Sequence, residues 1–167
     1  NEGFFDKELG NAFQIFWFMM YKKILAKSDP CITLIQHIKD CLSVFPNVLK
    51  WNSKLIKLMA ERYGIEKDFL IQRLFLTVAF HDIAKATKNF QAKVRKEKYG
   101  LESHALSSIE FLYPIIKSNP ITAFKDMQYY PELMSIASHH SKLTKHSFET
   151  YNKLKNETQP SFYTDIF

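Results

Sequence analysis

A chain of 167 residues is long enough for one domain with its own hydrophobic core and too short for two ordinary ones. With 46% hydrophobic and 15% aromatic residues, and only 4 Gly and 6 Pro, its composition excludes the disordered and fibrous classes. Its formal net charge of +6, from 23 Lys and Arg against 17 Asp and Glu, favours polyanionic partners such as nucleic acid.

Residues 1–19 form an aromatic segment ahead of Met20, which with the following YKKILAKSD reads as a natural start. The most apolar stretch, Ala12 to Met20, falls far short of the ~20 residues that cross a bilayer, and it lacks a signal-peptide flank. The expectation is a cytoplasmic protein without membrane contact. Periodicity along the rest of the chain is helical rather than alternating, which predicts an all-α single domain over 1–167.

From Cys31 to Phe45, Leu34, Ile38, Cys41, Leu42 and Phe45 recur at helical steps, with Pro46 as a stop and His37 beside the stripe. Cys31 and Cys41, ten residues apart on that predicted helix, are too distant to pair, so neither a disulfide nor a Cys-based zinc site is expected. Ser53 is a plausible N-cap for a helix to Tyr63 that turns Leu55, Ile56 and Met59 inward and ends at Gly64. Asp68 is expected to cap the next helix. Its apolar second half, Leu74 to Phe80, predicts a central buried helix that delivers His81 and Asp82 at its end. Ser103 can cap a helix from His104 to about Phe111, limited by Pro114 and by Ser118-Asn119-Pro120. A short helix is expected from Pro131 to His140, with His139 and His140 in its last turn. Residues 142–167 read as a weakly anchored tail.

Neutral imidazole and carboxylate are common ligands of divalent metals, and a polar pair such as His81-Asp82 at the end of an apolar helix is costly unless something satisfies it. Neighbouring helical residues point about 100° apart, so one of the pair can serve one metal while the other reaches a second. A lone His beside an apolar stripe is more often a hydrogen-bonded core or surface residue than a ligand. The series His37, His81-Asp82, His104, His139-His140 outweighs that reading, because each member sits at the end or edge of a successive helix and only His146 is left over.

Lys85, Lys88, Lys93, Arg95, Lys96 and Lys98 follow directly, with Phe90 and Tyr99 among them. Such a run beside a metal site can track a nucleic-acid backbone while a ring stacks on a base; its ordinary alternative is a solvated helix face. Gly64 and Gly100 sit at predicted helix ends, and the sequence holds no Walker-type motif.

These residues resemble the HD superfamily of metal-dependent phosphohydrolases. Within it, HDIAK followed by FQ, then SHALSS, then ASHH, is similar to the HD nuclease of the CRISPR-associated helicase-nuclease of type I systems. AKSDP and LIQH are similar to that family's N-terminal part, so the resemblance runs from about Met20 to Ser141. In the family's HDxGK pattern, Ala84 stands here in place of the Gly and Lys85 keeps the Lys.

The resemblance implies an HD-domain helical bundle in which His37, His81, Asp82, His104, His139 and His140 bind two divalent ions (Mn, Mg, Fe, Co or Ni). Asp82 bridges them and Lys85 lies close to the scissile phosphate. It also implies single-stranded DNA or RNA as substrate, a helicase subunit or domain, and a CRISPR effector complex as partners. Family members often add a late Asp, for which Asp165 is the only downstream residue. Two other readings stay open: an HD phosphohydrolase of nucleotides or cyclic nucleotides, and a silent interaction module stapled by a structural metal.

Overall fold

A turn at Asp29-Pro30, whose peptide bond is cis, pairs Leu25–Ser28 (β1) antiparallel with Cys31–Thr33 (β2). A computed structural model of the chain describes residues 24–97, 104–118 and 130–140, with 145, 149 and 152 besides. The small hairpin is an addition to the expected all-α class, and it takes Cys31 out of the predicted helix. Thr33 instead caps helix α1, Leu34–Trp51, its Oγ1 accepting from Gln36 N at 3.2 Å.

α1 runs through Pro46 rather than stopping there. Pro46 is exposed, so its ring meets solvent, and the helix gives up one interior hydrogen bond there. Helix α2, Ser53–Tyr63, ends at Gly64, whose φ of 62° is the left-handed conformation that glycine adopts without a Cβ penalty. Its N-cap position falls on Asn52, not Ser53, and Leu55 is exposed where an inward position was expected, while Ile56 is buried.

Helix α3, Lys67–Phe80, is capped by Glu66, which accepts from Phe69 N at 2.7 Å; Asp68 lies in the first turn instead. A 3-10 turn, Ile83–Ala86, leads into α4, Lys88–Val94, capped by Thr87. Helix α5, His104–Ser118, passes through Pro114, longer than predicted, and α6 spans Pro131–Ser138.

The core gathers Leu34 and Ile38 of α1, Phe80 of α3, Ile83 of the 3-10 turn, Ile109 and Leu112 of α5, and Leu133 and Ile136 of α6. A smaller cluster of Ile56, Ala60 and Leu70 joins α2 to α3. α5 packs against α6 and the 3-10 turn, and α3 against α1 and α6, so the loop after α3 is enclosed on three sides. Among the described residues, no helix is long and apolar enough to cross a membrane. Residues 1–19, Ser103, and the 142–167 tail other than 145, 149 and 152 lie outside the described residues.

Candidate metal centre

Asp82 leaves the end of α3 at the point where the core closes over it, and only 1% of its side chain is exposed. An isolated carboxylate in that position would cost several kcal/mol or take up a proton. It is instead ringed by one ammonium and five imidazoles. Oδ2 faces Lys85 Nζ at 2.7 Å, His37 Nε2 at 2.9 Å and His81 Nε2 at 3.3 Å. Oδ1 faces His104 Nε2 at 3.1 Å, His139 Nε2 at 3.2 Å and His140 Nε2 at 3.9 Å. The expected series therefore converges from α1, α3, α5 and α6 onto one carboxylate, with a different imidazole group at each oxygen.

Two of the rings are fixed by the same device. His81 closes α3 and His139 closes α6, and each places Nδ1 against a carbonyl of its own last turn: Val78 O at 2.7 Å and Ile136 O at 2.6 Å. A carbonyl can only accept, so Nδ1 carries the proton, and in the neutral ring the Nε2 lone pair faces Asp82. Outer hydrogen bonds of this kind orient metal-binding histidines.

Burial alone would raise the Asp82 pKa, but His104, His139, His81 and the Lys85 ammonium outweigh it and hold the carboxyl far below the ordinary range. Burial, reinforced by His139 and His104, pushes His140 down to about 4. Burial also lowers His37 against the pull of Asp82, whereas in His81 burial is outweighed by the sum of the bond its protonated ring donates to Asp82, the Asp82 charge and the Val78 carbonyl, and the pKa rises.

This donor set fits divalent cations. Ligands about 2.0–2.1 Å from a shared ion are roughly 2.9 Å apart at right angles and roughly 3.4 Å apart at the tetrahedral angle, the range of most of the spacings to Asp82. His104 Nε2 is buried and has no hydrogen-bond partner despite its closeness to Oδ1, the kind of orphaned donor atom that an ion would satisfy. Asp82, His104, His139 and His140 form one group able to hold a metal, and His37, Cys41 and His81 form another. Among the described residues, no second carboxylate joins either group, and Asp165 lies outside them.

Lys85 is not the solvated helix-end lysine that its polar position would ordinarily suggest, being 4% exposed. Two uncharged residues hold its turn in place. Gln91, the Q of the FQ pair, donates from Nε2 to Lys85 O at 2.7 Å and to Leu25 O at 2.9 Å, and its Oε1 accepts from Leu25 N at 3.0 Å. Ser108, from the SHALSS stretch, accepts from Ala84 N at 3.1 Å. Ala84 has no left-handed backbone, so the turn accommodates Ala where the family pattern has Gly.

Lys88, Lys93, Arg95 and Lys96 are exposed on α4 and the turn after it, while Lys98 and Tyr99 lie outside the described residues. Phe90, on the same helix, turns inward and meets the His104 ring edge-on at 5.2 Å. Sequence reasoning missed Cys41, although its four-residue spacing from His37 puts the two on one helical face. It also missed the buried pair Arg73 Nε–Glu132 Oε1, 2.9 Å apart, which ties α3 to α6.

No curated protein and no solved structure matches the chain. The family model described as "Cas3, HD domain" matches residues 22–161, a span that takes in every residue of the cluster around Asp82. The chain thus belongs to the HD-domain family of Cas3, the metal-dependent nucleases of the CRISPR system.

Proposed function

We propose that the chain hydrolyses phosphodiester bonds of single-stranded nucleic acid, DNA in preference, during CRISPR interference, with two divalent cations activating water. The observation that carries this reading is the partition at Asp82: Oδ2 faces His37 and His81, and Oδ1 faces His104, His139 and His140. One carboxylate with an oxygen in each of two imidazole groups is what a bridging ligand requires. His37 and His81 would hold one cation with Oδ2, and His104, His139 and His140 the other with Oδ1. Bound there, the cations supply Lewis acidity toward a phosphate oxygen and a water that ionises near neutral pH.

The chain's own residues do the remainder. The Nδ1 bonds of His81 and His139 hold their rings in the ligating orientation before any ion arrives. Lys85, held beside Oδ2, meets charge that develops on the phosphoryl oxygens. His140, with 53% of its side chain exposed, marks the open side through which a substrate strand reaches the carboxylate. Lys88, Lys93, Arg95 and Lys96, with Lys98 in the same run, follow the backbone of that strand. Strand separation falls to a helicase subunit or domain within the effector complex, because this sequence has no Walker-type motif.

The test is cleavage of labelled single-stranded DNA by the purified chain, with chelator or with Mn²⁺, Mg²⁺, Fe²⁺, Co²⁺ or Ni²⁺. Metal-stimulated cleavage that falls to background in Asp82→Ala supports the reading. Cleavage absent with every cation, or undiminished in that variant, overturns it.

A further inference from the structure

α1 brings a second type of donor to the His37 half of the centre. Cys41 follows His37 by one helical turn, and its Sγ lies 3.9 Å from His37 Nε2. That same Nε2 is 2.9 Å from Asp82 Oδ2. One ring nitrogen, carrying at most one proton, therefore faces both a carboxylate and a thiol. The donor atoms of His37, Cys41 and His81 all lie within 4.8 Å of one another. Sulfur about 2.3 Å and nitrogen about 2.0–2.1 Å from a shared ion are roughly 3.6 Å apart at the tetrahedral angle, close to the spacing observed. Cys41 is half-buried, whereas Cys31 is exposed on β2, so only one of the two thiols is drawn to the centre.

We propose that Cys41 is a thiolate ligand of the cation held by His37, His81 and Asp82 Oδ2. The two halves of the centre then differ in kind. The first offers two nitrogens, one oxygen and one sulfur, and the second, from Asp82, His104, His139 and His140, offers three nitrogens and one oxygen. Thiolate favours borderline and soft ions and disfavours Mg²⁺. The His37 half therefore retains a Zn²⁺, Co²⁺ or Fe²⁺-type ion, and the other half exchanges its ion more freely. This deepens the two-cation reading proposed above and rests on it.

The experiment is a Co²⁺ titration of the whole chain, freed of metal and kept reduced, followed by absorption and by equilibrium dialysis. The wild type is expected to show visible d–d absorption together with near-ultraviolet sulfur-to-cobalt charge transfer. Cys41→Ser is expected to lose the near-ultraviolet band and keep the visible one, and Cys31→Ser to keep both. A visible band with bound Co²⁺ but no charge transfer in the wild type overturns the role of Cys41 alone. So does charge transfer that persists in Cys41→Ser. If dialysis finds no bound Co²⁺ in the wild type, the two-cation reading falls with it.

Discussion

Lys85 Nζ and Asp82 Oδ2 are 2.7 Å apart, and neither side chain has more than a few per cent of its surface in contact with solvent. In the metal-free protein this pair is the ion pair at the heart of the centre, because an imidazole adds charge only when it is protonated. Asp82→Ala leaves the Lys85 ammonium buried without its counter-ion, a loss on the order of 3–5 kcal/mol. Asp82→Ala combined with Lys85→Met is expected to recover much of that loss. Urea unfolding in chelator measures both, and equal midpoints for the single and double variants would show that the lone ammonium is not the cause of the loss. Lys85→Met alone separates the proposed roles further: metal binding should persist while cleavage falls sharply.

Gln91 satisfies three backbone groups at once, Leu25 N, Leu25 O and Lys85 O, and is itself buried. Gln91→Leu keeps the bulk and removes every one of those bonds. Each buried group left unpaired costs about 1–3 kcal/mol, so the variant should unfold well before the wild type. Because Lys85 O is among them, the lysine turn should also loosen. Hydrogen exchange is expected to rise at residues 82–87 first, whereas a uniform rise across the chain would assign Gln91 a general stabilising role instead.

Arg73 and Glu132 are paired inside the bundle between α3 and α6, the two helices whose ends carry His81 and His139. Glu132→Ala removes one partner and should cost about 3–5 kcal/mol, much more than an exposed pair. Replacing both with apolar residues, Arg73→Met with Glu132→Leu, should restore stability. If the pair also sets the spacing of the two helix ends, calorimetric metal affinity will fall in the single variant and return in the double.

What was legible in the chain and what was not divides along physical lines. That His37, Asp82, His104 and His139 lie near one another was open to inference, because each sits at a helix end or beside an apolar stripe that local periodicity locates. The partition of imidazoles between Oδ1 and Oδ2 was not, since it depends on how α1 and α6 cross near α3. Cys41 falls in an apolar stripe by spacing alone; only its distance to His37 sets it apart from the stripe's other members. Arg73 sits in an apolar helix and finds its partner 59 residues away, beyond any local pattern. Pro46 and Pro114 are stop signals by local rules, but the packing of α1 and α5 retains helix on both sides of them. The hairpin at Leu25–Thr33 is too short to register as alternation.

The histidines make the metal-free protein sensitive to acid. His140 has an unfolded value near 6.5 and is pushed down to about 4 in the fold. Between those values the unfolded chain binds a proton that the folded chain does not, so stability is lost as pH falls through that window. His37 acts in the same direction. His81, raised by Asp82, acts in the opposite one: its contribution is present below the unfolded value and fades as pH rises through its folded value. Since His140 is half-exposed, its share is small. In chelator, His140→Gln should match the wild type near pH 7.5 and lose less of its denaturant midpoint on going to pH 5; parallel curves would remove His140 from the account.

The exposed cations on and after α4 distinguish a nuclease from a hydrolase of small nucleotides acting at the same centre. Gln91 and Phe90 anchor α4 against Lys85 and His104, so Lys88 and Lys93 are carried on an element fixed to the metal centre. Lys93→Gln, Arg95→Gln and Lys96→Gln together remove three charges that take no part in the cluster around Asp82. If each neutralises one phosphate, the slope of log affinity against log salt for single-stranded DNA should become shallower by about 2. Cleavage of oligonucleotides should weaken in parallel, while metal binding stays unchanged. Hydrolysis of a mononucleotide or cyclic nucleotide needs no extended contact and should not respond. An unaltered salt slope, with turnover of a small phosphodiester intact, would assign the centre to the smaller substrate.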